Sequence, residues 1–181
     1  MTATTIAQGE GAPASYPDAP AGLSTDAAAL DPAMIWQRIE AYVAWRWSAR
    51  TAEWVVEGCG EWVPPLKPAT IATTEAWDGT AWVTATLSAS PLGGYMLPGD
   101  GPYRFTGTIG AGAVEVPAAV TEAFRRLAEY MSEKPGKGGA RVESESVPDV
   151  ATESVERSAA WMAQALINSG AADLLRPYRR A

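Results

Sequence analysis

Two changes of hydrophobic period divide the 181-residue chain and limit the folds open to it. Early in the chain, large apolar residues recur at every fourth position, which is a helical period: Ile35, Ile39, Val43 and Trp47. Between residues 53 and 116 the apolar residues instead form short aromatic and β-branched runs, which are typical of strands. From Pro117 the helical period returns. This order predicts an α+β protein, in which a small antiparallel β-domain is inserted between the first and second helices.

The first two helices have clear start signals. Asp31 suits the N-cap and Pro32 the first helical position, so the first helix is expected to run from Asp31 to about Arg50. The second helix is expected to begin at Pro117. Its apolar stripe consists of Val120, Phe124, Leu127 or Ala128, and Met131.

A third helix is predicted from Glu153 to Ser169. Its apolar positions are Val155, Ala159, Met162 and Leu166. Gly170 is placed to take the left-handed conformation that stops a helix. The three helices are therefore expected to form a shared core.

Four runs in the middle of the chain predict strands, at residues 54–56, 71–77, 82–87 and 103–109. Asp78-Gly79 lies between two of them and predicts a two-residue hairpin turn. We therefore expect about four or five antiparallel strands.

Two segments have too little large apolar surface to offset the entropy of ordering, so we expect a flexible arm over residues 1–30 and a mobile loop over 141–152. The predicted domains are this arm, a helical domain from residues 31–52 and 117–181, and the inserted β-domain from residues 53–116.

Composition excludes several function classes. The chain has no histidine and one cysteine, Cys59, so His-based catalysis and the usual metal-ligand clusters are not expected. Gly136-Lys137-Gly138 lacks the upstream glycine and the following Ser or Thr of a phosphate loop. We expect no cofactor, no metal and no enzymatic activity.

Some residues suggest chemistry but have a simpler interpretation. Glu75 and Asp78 could converge as paired carboxylates, yet solvated hairpin charges are the better interpretation. Four tryptophans could stack nucleic-acid bases, but core and interface positions are more typical: Trp45, Trp47, Trp54 and Trp62. A net charge of −7 also disfavours a protein that coats nucleic acid.

The end of this acidic chain is apolar, aromatic and cationic together. Its residues are Leu174, Leu175, Arg176, Pro177, Tyr178, Arg179 and Arg180. The arginines could simply complement a helix dipole, but the apolar side chains are costly to leave in water and are typical of buried anchors. We interpret residues 174–180, the C-terminal tail, as a segment that becomes ordered when it docks into a partner protein.

Five segments carry a resemblance to a known family. They read IWQRIEAYVAWRW at residues 35–47, PLGGYMLPGDGPYR at 91–104, FRRLAEY at 124–130, RSAAW at 157–161 and RPYRR at 176–180. With them, residues 31–181 resemble the head–tail adaptor proteins of alphaproteobacterial gene transfer agents, which are relatives of the connectors of long-tailed phages. The β-rich insert departs from the smallest phage connectors.

The resemblance implies a structural role. Such an adaptor forms a ring of about twelve copies beneath the portal protein, with a stopper or tail component on its other side. Packaged double-stranded DNA passes through the ring without sequence-specific binding, and the C-terminal tail engages the portal. The start of the chain shows no leader-like segment and no run long enough to span a membrane, so we expect a protein made in the cytoplasm and then held in the particle neck.

Two other function classes stay open at this point. One is a small binding module, whose β-domain grips a glycan or another surface ligand. The other is a hydrolase that uses only carboxylates, which requires two of them within about 10 Å in a cleft.

Specific binding of a transition metal or a nucleotide is not expected, because histidine, a cysteine cluster and an intact phosphate loop are missing. Elemental analysis after dialysis should find no stoichiometric metal, and calorimetry should detect no ATP binding at micromolar strength. Either signal would contradict this prediction.

Overall fold

The computed structural model of the protein describes residues 2–110, 115–133, 141–147, 150–156 and 159–179. These residues form a mixed α/β structure with two compact units. The β unit comprises Met1–Pro17, Tyr42–Glu115 and Tyr178–Ala181, and the helical unit comprises Asp18–Ala41 and Val116–Pro177.

The β unit contains eight strands in two antiparallel sheets. They are β1 (Thr4–Glu10), β2 (Arg50–Glu57), β3 (Gly60–Trp62), β4 (Ala69–Trp77), β5 (Trp82–Thr84), β6 (Ser88–Ala89), β7 (Tyr95–Leu97) and β8 (Tyr103–Ile109). The larger sheet has the order β1-β2-β8-β4-β5, and the smaller has the order β3-β7-β6.

Aromatic side chains from both sheets share one core. The Trp62 ring stacks on Phe105 at 4.1 Å between centroids, and Trp54 meets Trp62 edge-on at 6.0 Å. Along β2, buried Ala52, Trp54 and Val56 alternate with more exposed neighbours. One face of the larger sheet therefore packs inward, and the other, which we call the outer face, carries the exposed residues.

The N-terminal strand corrects the expectation of a flexible arm over residues 1–30. β1 pairs with β2 along its whole length, with a bulge at Ile6. Its polar side chains provide hydrogen-bond acceptors for the aromatic core. Thr5 Oγ1 accepts the Trp62 indole N–H at 2.9 Å, and Gln8 Oε1 accepts that of Trp54 at 3.1 Å. A second part of the arm forms the short helix α1 (Thr25–Ala28) in the helical unit.

Each of the four predicted runs contributes to a strand, in β2, β4, β5 and β8. The Asp78-Gly79 hairpin is present, but its loop covers four residues rather than two, because the last cross-strand pair is Trp77 with Trp82. Gly79 has φ +104°, and Asp78 Oδ1 accepts the N–H groups of Thr80 and Ala81.

The first predicted helix corresponds to α2 (Pro32–Tyr42). It begins as predicted but ends eight residues before Arg50. Asp31 Oδ1 accepts the Ala33 N–H at 2.9 Å at its start. After Tyr42 the chain leaves the helix through bends, and Trp45 forms a parallel bridge to Lys67. Val43 and Trp47 are nevertheless buried, so their assignment to the core was correct although their helical period was not maintained.

The second helix, α3 (Ala118–Ser132), is confirmed. The residues of its predicted stripe are buried: Val120, Phe124, Leu127, Ala128 and Met131. Within the helical unit, the Phe124 ring lies 5.2 Å from that of Trp36 on α2.

The third predicted helix is wrong over residues 153–156, which belong to a strand. Residues of the predicted mobile loop and of that helix form an antiparallel hairpin, β9 (Arg141–Val147) with β10 (Val150–Glu156). Short helices follow, namely α4 (Ala159–Ala163), α5 (Ala165–Asn168) and α6 (Ala171–Leu174), and then a 3₁₀ turn at Arg176–Tyr178. Gly170 has φ +74°, which confirms the predicted left-handed stop, whereas Met162 is 36% exposed and lies outside the core.

The β unit is larger than the predicted insert of residues 53–116, because it includes β1, the start of β2 and the residues from Tyr42 onward. Within the described parts of the chain, no helix combines the length and apolar character that a bilayer span requires.

An ion pair fixes the end of β1. Glu10 accepts hydrogen bonds from Arg46 Nε at 2.8 Å and Nη2 at 2.9 Å, and Arg50 Nη1 lies 3.6 Å from the same carboxylate. The hydrogen bonds and charge of Arg46, with the charge of Arg50, lower the pKa of Glu10 below its usual value of 4.5 although partial burial opposes them.

Replacing Glu10 with Gln should lower the free energy of unfolding at pH 7 by about 1–2 kcal/mol, since the pair is charge-assisted but partly screened by solvent. A depressed carboxyl pKa stabilises the fold above pH 4.5, and this contribution disappears as the pH falls through the folded-state value. Urea unfolding from pH 7 to pH 3 should therefore show a weaker pH dependence in E10Q than in the wild type. The exposed Glu57, also on the larger sheet, provides the control E57Q, which should match the wild type.

Candidate functional site

The C-terminal tail is largely folded into the protein itself. Leu175 is fully buried at the end of α6, a helix that packs on α3. Leu174 is half-buried. This corrects the expectation that both leucines enter pockets of a partner, because Leu175 already lies in the core of its own chain.

Tyr178 is also held within its own chain. Its carbonyl accepts the Ala44 N–H at 2.9 Å, and its ring meets Trp47 edge-on at 5.5 Å and Trp45 at 6.3 Å. The Arg179 guanidinium lies over the Tyr42 ring, 4.7 Å from its centroid. Aromatic residues of the β unit thus hold this part of the tail in place.

The remaining tail residues face solvent. Arg176, Pro177 and Arg179 are exposed, and Arg176 pairs with Asp173 at 3.2 Å on the surface. Arg180 lies outside the described residues. Among the described residues of the predicted docking segment, Arg176 and Arg179 are the exposed charged ones, and we call these two arginines the basic patch.

The two hairpin carboxylates have separate structural roles. Glu75 accepts a hydrogen bond from Arg104 Nε at 2.7 Å, which lowers the pKa of Glu75. The N–H groups of Ala81 and Thr80 lower the pKa of Asp78. Because both carboxyls favour the ionised state, this pair does not provide the protonated acid that glycoside hydrolysis requires.

Three of the four tryptophans weighed for base stacking are core residues: Trp47, Trp54 and Trp62 are at most 4% exposed. An exposed indole lies elsewhere, on Trp77, which contacts the half-buried Trp82; neither was predicted as a site residue. Trp77 is 40% exposed and meets Trp82 across the β4–β5 hairpin, with centroids 5.4 Å apart and planes at 64°. The sequence feature that could have revealed this pair is the position of the two tryptophans on either side of the Asp78-Gly79 turn.

A cation lies against this pair. The Arg104 guanidinium is 4.8 Å from the Trp82 ring centroid while it binds Glu75. We call Trp77, Trp82, Arg104 and Glu75 the indole corner. It offers two differently oriented aromatic planes beside a fixed guanidinium and carboxylate.

In the part of the chain that the structure describes, no three His, Cys, Asp or Glu residues are grouped so that they could hold a metal ion. Lys137 and its flanking glycines, which imitate a phosphate loop, lie outside the described residues.

No protein-family model matches the chain, and neither a curated protein nor a solved structure does. Function is therefore inferred from the residues, from their geometry and from the resemblance described above.

Because Leu175 is a core residue, Leu175→Ala should destabilise the isolated protein by about 2–4 kcal/mol. The half-buried neighbour provides the control, since Leu174→Ala removes the same atoms at a cost of about 1 kcal/mol or less. Urea unfolding of both variants without any partner measures the difference. If both variants lose equally little stability, the result would instead support the expectation that both leucines dock into a partner.

Proposed function

We propose that the protein is a structural head–tail adaptor of a phage-like particle. In this role about twelve copies form a ring on the portal and link the DNA-filled head to the stopper and tail. The observation that carries the proposal is the basic patch, since two exposed arginines lie three positions apart in the sequence of a chain whose net charge is −7, and the Tyr42 ring positions the second of them.

The basic patch suits an acidic partner surface. The Arg179 guanidinium is positioned by Tyr42, so less side-chain entropy is lost when it binds a carboxylate. Arginine can bind a carboxylate with two parallel hydrogen bonds, which gives orientation as well as affinity. In this proposal the exposed arginines bind carboxylates of the portal, with Arg180 adding a third charge, and Tyr178 holds the backbone beside Arg179 in place within the β unit.

The segments that resemble the adaptor family include core positions of both units. Trp36 and Phe124 lie in two of them and meet in the helical unit. In the β unit, Leu97 and Tyr103 are buried residues of the segment at 91–104. We assign the helical unit to the connector domain with its three-helix core, and the β unit to an enlarged form of the insert.

The acidic balance of the chain fits a DNA channel. A ring of copies with net negative charge repels phosphates, so the duplex can slide without adhering to the wall. The protein would be made in the cytoplasm, join the portal there and remain in the neck of the released particle.

Alanine replacement of both arginines of the patch tests the proposal. R176A/R179A should keep the thermal stability of the wild type but lose at least tenfold in affinity for the portal in co-purification, because two charge-assisted contacts disappear. Producing cells should release filled heads without tails. R179K should weaken binding less, since lysine keeps the charge and loses the bidentate geometry.

The matched control is R125A/R126A on α3, which removes two partly exposed arginines that pair with Glu122. It should keep portal binding. The proposal fails if R176A/R179A still co-purifies with the portal and yields tailed particles, or if both double variants lose binding equally.

A further inference from the structure

The outer face of the larger sheet carries an ordered array of hydroxyl and charged side chains. Cross-strand pairing aligns them in three rows: Thr51–Thr108–Thr70, then Glu53–Thr106–Thr73, then Val55–Arg104–Glu75–Thr84. Successive rows lie about 6.8 Å apart, because alternate residues of a strand share a face. Trp77 and Trp82 form a fourth row, so the array is about 20 Å long.

A trough of about 510 Å³ lies at the threonine end of this array. Its smallest lining residues are Gly9, Gly11, Ala52, Ala72 and Gly107, and its polar lining groups belong to Glu10, Thr51, Glu53, Thr106 and Thr108. Its volume is in the range of ligand pockets. The indole corner lies at the opposite end of the same face.

Residue types on this face favour a carbohydrate over a protein partner. The cores of protein interfaces are depleted in charged groups, and threonine is under-represented among their energetic hot spots. Each threonine hydroxyl can donate and accept a hydrogen bond, as sugar hydroxyls do. An exposed indole such as Trp77 offers a flat apolar surface for the C–H face of a pyranose ring.

Charge on the face limits the kind of carbohydrate. Glu75 already neutralises Arg104, the cation of the array. Glu53 is an exposed carboxylate in the second row, and Asp78 is an ionised neighbour of Trp77. A sugar chain with carboxylates or sulfates would be repelled here, whereas an uncharged one would not.

We propose that the outer face of the larger sheet binds an uncharged polysaccharide chain, stacking one pyranose on Trp77 and hydrogen-bonding the following sugars through the threonine rows. The length of the array suits several consecutive sugars rather than one. This activity goes beyond the adaptor role and does not depend on it.

Calorimetry on the purified full-length protein tests the proposal with two neutral probes, cellohexaose and maltohexaose, and with polygalacturonate as the anionic probe. At least one neutral probe should bind, with a change in tryptophan fluorescence, and polygalacturonate should bind at least tenfold more weakly. Trp77→Ala should weaken binding at least tenfold, and Thr108→Val should weaken it about threefold to tenfold.

The control variant is Leu92→Ala, which truncates a large apolar side chain that is 71% exposed in the turn between β6 and β7. It should bind as the wild type does. The proposal is overturned if neither neutral probe binds at millimolar concentration, if W77A binds as the wild type does, or if polygalacturonate binds equally well. It is also overturned if sedimentation shows that W77A dissociates a wild-type oligomer, which would make the face a contact between copies. The portal experiment is independent of all four outcomes.

Discussion

The buried indole N–H groups of Trp54 and Trp62 each require a hydrogen-bond acceptor within the β unit. A buried donor without an acceptor costs about 1–3 kcal/mol, and the acceptors of both come from β1. The N-terminal strand therefore has to align with β2 in one register. That register also brings Glu10 to Arg46 and Arg50, so hydrogen bonding in the core determines where this partly buried ion pair forms.

Local signals in the sequence identify much of this fold. The β-branched and aromatic runs mark β2, β4, β5 and β8, and the stripe from Val120 to Met131 marks α3, because in both cases the periodicity is a property of the segment itself. β1 has little large apolar surface. It stabilises the core through the side-chain oxygens of Thr5 and Gln8, which accept hydrogen bonds from the buried indoles. A polar strand of this kind is recognisable only once its buried partners are known.

The candidate sites were predictable to different degrees. The apolar character of Leu175 and Tyr178 correctly indicated that they are covered, but hydrophobicity measures the cost of exposure and does not identify the covering surface. That surface is the chain itself. The indole corner could not be predicted because residue type alone does not reveal which face of a strand a side chain occupies. Trp54 lies on the buried face of β2, whereas Trp77 is exposed at the end of β4.

The β unit contains both β1 and the Tyr178 ring, which packs on Trp47 although it lies far from it in the sequence. Because synthesis proceeds from the N-terminus, Trp45 and Trp47 cannot contact Tyr178 until all the residues between them have been synthesised. Contacts this distant in sequence form late and slowly. The Arg179 guanidinium can therefore lie over Tyr42 only after this late part of the chain has been made, and a translation product that stops before Tyr178 cannot display it.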